Sequence, residues 1–227
     1  MLEPPVQSRG LEAAAHTRRV QGTQPEALPD LLLIERVRTG DDPAIEALIR
    51  RYSRRLMRAA LSVVLDEERA EAAVLEAYLA AFSDVNRCEP AGRFAAWLTR
   101  LTFNQARAQR LGTRPAGPTA PAAEGDAARA LEHSIAQLPE VFRSVYVLRM
   151  IEGVSGIETA ASLGLHETTV RTRLFRAHRR LGAEASRRAQ ITAGLFEPSA
   201  ACVDRLVSRA LSRLHHGTML TSFAAPP

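Results

Sequence analysis

The chain has 227 residues, 30 basic against 25 acidic side chains (formal charge +5), and is 46% hydrophobic with only 5% aromatic residues. That length buries one large or two small cores, which Leu, Val, Ile and Ala would build as helices sooner than sheets. The positive balance favours a polyanionic partner. No stretch reaches the ~18 uninterrupted apolar residues of a membrane span, and Arg18-Arg19 lacks the apolar run of an export signal, so a soluble cytoplasmic protein with no membrane partner is expected.

Residues 1–26 hold scattered Pro, Gln, Gly and Thr without periodicity and read as a disordered N-terminal tail. Leu31 to Val37 forms a short apolar-faced helix ending at Gly40. Asp41-Asp42-Pro43 then starts a second helix, with acid at the positive end of the dipole and proline in the first turn. Ile45, Leu48, Ile49, Tyr52, Leu56 and Val63 keep the helical rhythm to about Leu65, with Arg50, Arg51, Arg54, Arg55 and Arg58 alongside. Asp66-Glu67-Glu68 opens a third helix in which Ala70, Ala73, Val74, Ala77 and Ala81 face inward. After a loop holding Cys88, Pro90 and Gly92, a fourth helix uses Phe94, Trp97, Leu98 and Leu101 as its buried stripe and runs to about Arg110. These four elements make a helical domain over 27–110, and the Pro, Gly, Ala and Thr of 111–125 a flexible linker.

A second domain, 126–186, opens with helices around Ala127–Ala136 and Pro139–Glu152 and runs into the segment Val154 to Leu181, which reads as a helix-turn-helix. Ser155 and Glu158 fit a capping box, Ala160 permits close helix approach, Gly164 supplies the positive φ of a sharp turn, and Val170 faces the core. At roughly 100° per residue, Val170, Leu174, Ala177 and Leu181 form one stripe while Arg173, Arg176, Arg179 and Arg180 project elsewhere, as a helix in the major groove requires. The alternative is an amphipathic helix with a solvated arginine face; the capped Ala-x3-Gly-x5-Val spacing favours DNA. The second helix is expected to extend to about Gln190. A C-terminal extension, 187–227, carries Val203, Leu206, Val207, Ala210, Leu211 and Leu214 at helical spacing, an amphipathic helix expected to cover its own domain or offer a face to a partner.

Every basic residue is arginine, which reflects a GC-rich coding sequence rather than a demand for guanidinium chemistry. Cys88 and Cys202 lack any CxxC or Cys/His spacing and read as reduced thiols. His215-His216 has no second ligand pair, so no metal and no cofactor is expected. An enzyme is not expected either: HETTV at His166 has Val170 where HExxH needs its second His, and no phosphate loop or nucleophile elbow is present. Carboxylate pairs Asp41-Asp42 and Glu67-Glu68 sit at helix starts, where capping explains them.

The arrangement resembles the extracytoplasmic-function (ECF) class of RNA polymerase sigma factor, of the sigma-70 superfamily, over about residues 28–182. LPEVFRSVYVLRMIEGVSGIETAASLGLHETTVRTRLFRAHRRL, from Leu138, looks like region 4; GRFAAWLTRLTFNQARAQRL, from Gly92, is similar to the region 2.3–2.4 helix, with Trp97-Leu98 and Asn104. TGDDPAIEALIRRYSRRLMRAA, from Thr39, looks like the helix before the polymerase-binding segment. The resemblance implies an all-α fold of two small helical domains and promoter recognition at two elements. Thr168, Thr169, Arg171, Arg173, Arg176, Arg179 and Arg180 would meet the −35 element; Arg87, Arg93, Arg100, Asn104 and Arg107 would capture the −10 element as a single strand. Glu71, Leu75, Glu76 and Leu79 would meet the clamp helices of the polymerase β′ subunit, with the β flap a further contact of core enzyme and an anti-sigma factor a further expected partner. The chain departs from the pattern at Ala72 and Leu75, where relatives usually carry Asp and Gln, at Cys88-Glu89-Pro90, and at His166-Glu167. A stand-alone helix-turn-helix regulator is the rival, and it gives no reason for the Trp97/Asn104 helix.

Overall fold

Acidic starts and left-handed stops set the helix boundaries. The computed structural model describes residues 25–85, 93–111, 127–188, 196 and 198–222, and no strand occurs among them. A short 3-10 turn, Pro25–Ala27, leads into α1 (Asp30–Arg38) and α2 (Asp42–Val64), with Pro43 in the first turn of α2 and Leu65 left-handed at its end. The Asp41 side chain makes no cap hydrogen bond and instead pairs with Arg36. Helix α3 (Glu67–Ser83) is capped by Asp66, whose carboxylate accepts the Arg69 amide at 2.9 Å. Helix α4 (Phe94–Leu111) completes the first unit. The N-terminal tail before Pro25, the loop with Arg87 and Cys88, and the linker 112–126 lie outside the described residues.

Leu33, Ile34 and Val37 are buried on α1; of the expected stripes Leu48, Ile49 and Leu56 on α2 and Phe94 and Leu98 on α4 are buried, while Trp97 and Leu101 are half-buried and Phe103 is buried in addition. The Tyr78 hydroxyl donates to the Ile49 carbonyl at 3.0 Å, which satisfies a phenol held entirely inside this core. Helix α3 is alanine-rich, and nine of its seventeen residues are buried, too many for one face. A helix apolar on most sides has to be covered on more than one.

The second unit contains α5 (Ala127–Ala136), α6 (Glu140–Tyr146) with a π turn Val147–Ile151, α7 (Gly156–Leu163) and α8 (Glu167–Arg188). Val145, Ala160 and Val170 pack at the crossing of α6, α7 and α8. Leu131, Ile135, Tyr146, Val147 and Ala177 form the adjoining cluster. Gly182 (φ 76, ψ 172) kinks α8, and helix resumes beyond it to Arg188; Gln190, near which the helix was expected to end, lies outside the described residues.

The units share a boundary rather than standing apart. Leu148 and Val154 are part of the first unit's apolar cluster. Arg58 pairs with Glu152 at 2.6 Å with side chains only 3% and 7% exposed, and Arg55 pairs with Glu158 at 2.7 Å. Arg143 is buried and donates to the carbonyls of Ser62 (2.5 Å), Ala136 (2.6 Å) and Leu138 (2.9 Å). The last helix, α9 (Ala200–Ser222), lies on α2 and α3 of the first unit. The expectation that it covers its own, second domain is corrected: Cys202, Leu206, Val207 and Ala210 are buried in the first core, where α3 had a face left to cover.

Candidate nucleic-acid interface

Helix α7 starts at Ser155, whose hydroxyl accepts the Glu158 amide at 3.1 Å, and stops at Gly164 (φ 65, ψ 41). The reciprocal half of the capping box is not made, because the Glu158 carboxylate reaches Arg55. The left-handed Gly164 turns the chain into α8, where Val170 is buried with Val145 and Ala160, and Ala177 in the cluster of Ile135 and Tyr146. With those two residues fixing the inner side, the outward side of α8 is set by helical geometry. Thr168, Arg171, Thr172, Phe175, Arg176 and Arg179 occupy it, and all six are exposed. Thr172 and Phe175 were absent from the sequence-based candidates. Counting a half-turn from the Val170–Ala177 seam would have found both.

Three of the candidates stand elsewhere. Thr169 and Arg173 are half-buried beside the seam, and the Arg180 guanidinium lies 5.4 Å from the centre of the Phe142 ring, a cation–π contact within the unit. Arg171 is 3.7 Å from Glu167, one turn earlier, and its side chain is 79% exposed. Phe175 is 62% exposed, unusual for a phenylalanine that has a core within reach.

Arg93, just before α4, and Trp97, Arg100, Asn104 and Arg107 on it recur every three or four positions and so share one face. Arg93, Arg100, Asn104 and Arg107 are exposed; Trp97 is half-buried and packs 6.0 Å from Phe94, centre to centre. Arg87 lies outside the described residues. The second unit reaches this face: a Cβ on Gly164 would come within 3.5 Å of the Arg100 guanidinium, and Glu140 accepts Arg107 at 3.1 Å and also Arg110. A carboxylate thus holds two guanidinium groups that would otherwise be available to phosphate. Four arginines of α2 are held in the same way. Arg50, Arg51, Arg55 and Arg58 are all engaged with carboxylates of the chain itself.

The four candidates on α3 are brought to one side but are not open to solvent. Glu71 is 7% exposed and Leu75 1% exposed, Glu76 and Leu79 are half-buried, and α9 lies over them. Among the described residues no group of three His, Cys, Asp or Glu side chains could hold a metal, and no helix is long and apolar enough to cross a membrane.

Comparison with known proteins decides what this frame belongs to. Residues 128–181 match the family model of sigma-70 region 4. The chain is 30% identical over 172 residues to the RNA polymerase sigma-H factor of Pseudomonas aeruginosa, covering 65% of this chain and 89% of that protein. It belongs to the ECF RNA polymerase sigma factors. The ECF RNA polymerase sigma factor SigM of Mycobacterium tuberculosis is 32% identical to this sigma factor over 152 residues (63% of this chain, 77% of SigM). The solved structure of CnrH, in complex with the cytosolic domain of CnrY, superposes with a TM-score of 0.55 at 28% identity, covering 70% of this sigma factor and 97% of CnrH. The likeness to the sigma-H factor is three times longer than the region 4 match, so the rival reading of a helix-turn-helix regulator that shares only its last unit is not favoured. This sigma factor directs transcription initiation.

Proposed function

We propose that the sigma factor reads a promoter at two places while bound to core RNA polymerase. Residues 27–110 act as region 2, 111–125 as a linker, 126–186 as region 4 and 187–227 as an extension, all in the cytoplasm and with no cofactor. The outward face of α8 carries the reading at the −35 element. Arg171, Arg176 and Arg179 have the reach and planar donors for guanine edges and phosphates, and Phe175 among them suits a thymine methyl. Arg173 and Arg180, turned toward their own unit, contribute at the rim.

At the −10 element the α4 face supplies an amide, three cations and an aromatic ring within one stripe. Asn104 can hydrogen-bond the edge of an extruded base, Trp97 offers a ring for stacking, and Arg93, Arg100 and Arg107 hold the strand's phosphates. Glu140 has to leave Arg107 for this to happen. Glu71, Leu75, Glu76 and Leu79 form the surface for core polymerase. CnrH was solved with a protein partner, the cytosolic domain of CnrY, and an anti-sigma partner is proposed here by that likeness.

The exposed Thr168–Arg171–Thr172–Phe175–Arg176–Arg179 face, opposite a buried seam, is the observation that supports this reading most. Arg176→Ala and Arg179→Ala should each weaken −35-dependent transcription and lower the salt dependence of binding by about one phosphate contact. Wild-type transcription and salt slope in both variants would remove α8 from the promoter. Asn104→Ala should impair strand opening more than duplex binding; a permanganate footprint as strong as wild type would exclude that role.

A further inference from the structure

Helix α9 follows the region 4 match in the chain, and among the described residues its ion pairs are with the first unit. Its inner strip, Cys202, Leu206, Val207 and Ala210, is buried, with Leu211 and Leu214 packed beside it. Around that strip Arg205 and Arg209 bind the two oxygens of Glu71 at 2.7 and 3.0 Å, and Arg213 binds Glu76 at 2.5 Å. At its sides Asp204 pairs with Arg50 at 2.8 Å and His215 with Asp42 at 3.0 Å.

Glu71 and Glu76 bracket Leu75, Ala72 and Leu79 on the circumference of α3. A helix that pairs with both glutamates therefore lies over the residues between them, which accounts for the burial of Leu75. The covered surface has an apolar centre and an acidic rim. It fits a basic amphipathic helix, and α9 is one.

We infer that α9 is an intramolecular competitor for the polymerase-binding face of α3, so that core enzyme and α9 occupy the same surface by turns. The inference rests on the reading of α3 as that face. The closed form is reversible by its chemistry. Arg205, Arg209 and Arg213 have side chains 52–56% exposed, so their ion pairs are screened by salt. Three of the four fully buried side chains are small. A competitor that is shut most of the time raises the apparent dissociation constant by the inverse of the open fraction, which makes polymerase capture depend on whatever opens α9.

Two full-length variants test this without altering α3. Arg205→Glu/Arg209→Glu sets two carboxylates against Glu71, and Leu206→Asp places a charge in the buried strip. Amide hydrogen exchange along α9 reports release, and equilibrium titration with core polymerase reports affinity. Release should accompany about tenfold tighter binding in both variants, and α9 of the wild-type protein should lose protection once core enzyme is bound. Loss of protection with unchanged or weaker binding would overturn the inference while leaving the sigma-factor reading intact. So would α9 amides that stay protected in the polymerase complex, or that stay protected in both variants. Failure of the wild type and both variants to bind core enzyme would overturn the polymerase-binding reading of α3 together with the inference.

Discussion

Single side chains hold together elements far apart in the chain. Arg143 directs its guanidinium at three carbonyls from two segments, and burial pulls its pKa down to about 10, still far above neutral pH. Arg143→Leu keeps the bulk and removes the donors, leaving the Ser62, Ala136 and Leu138 carbonyls without that partner. The expected loss is about 3 kcal/mol by urea unfolding; a loss within 0.5 kcal/mol, roughly the size of an ordinary surface substitution, would show that the clamp is dispensable. Glu71 makes a pH prediction. Arg205 chiefly, then Arg209, hold its carboxyl below the usual range against the opposing effect of burial. The groups facing it are Arg205, Arg209 and the Cys202 thiol, whose pKa burial and the Glu71 charge push up to about 11, while Glu67 lies nearby on the same helix. A carboxyl with a lowered folded pKa adds stability that is complete above its unfolded value, about 4.3 for glutamate, and is lost as pH falls through the folded one. Exchange protection of α9 should therefore hold from pH 7 to 5 and weaken only as pH falls below the ordinary glutamate range; failure already at pH 6 would point to another group.

At the scale of elements, local chemistry was legible and burial partners were not. The Asp66 cap, the Ser155 cap, the left-handed Gly164 and the buried Val170–Ala177 seam all follow from residue types within four or seven positions of each other. Gly164→Ala should cost about 1–2 kcal/mol, since the alanine Cβ is strained at positive φ, and should lower the midpoint of thermal unfolding; an unchanged midpoint would mean that the turn relaxes without cost. The extent of α8 was legible, because the run Glu184–Arg188 has good helix formers and the helix is assigned to Arg188; the kink at Gly182, at φ 76, was not. The periodicity of α9 shows that one face is buried. It carries no information on what buries it, so the helix was assigned to the nearer domain in sequence. The candidate site was legible in the same way: the exposure of Arg171, Arg176 and Arg179 follows from helical spacing, while Arg180 on Phe142 and Arg107 on Glu140 depend on partners outside their own helices.

The whole molecule is a closed arrangement of two helical units and a covering helix. Arg58–Glu152 is its buried hinge pin, joined by Arg55–Glu158 and by Glu140 on Arg107 and Arg110. Arg58→Ala leaves the Glu152 carboxylate buried without its guanidinium, so stability should fall by about 3–5 kcal/mol, whereas Arg55→Ala, at a more exposed pair, should cost about 1 kcal/mol or less. Equal losses would refute the ranking. The outward face of α8, proposed to read the promoter, is exposed in this form, the α4 face is partly held by Glu140, and the α3 face is covered. On the proposed reading, activation is a matter of separating elements that the chain itself holds together. Run-off transcription with purified core polymerase and a promoter library tests the central claim most directly. The protein, alone or with α9 opened by Leu206→Asp, should give discrete start sites that core enzyme alone does not, with the opened form more active at low concentration. Transcripts no different from those of core enzyme alone, with either protein, would contradict the account.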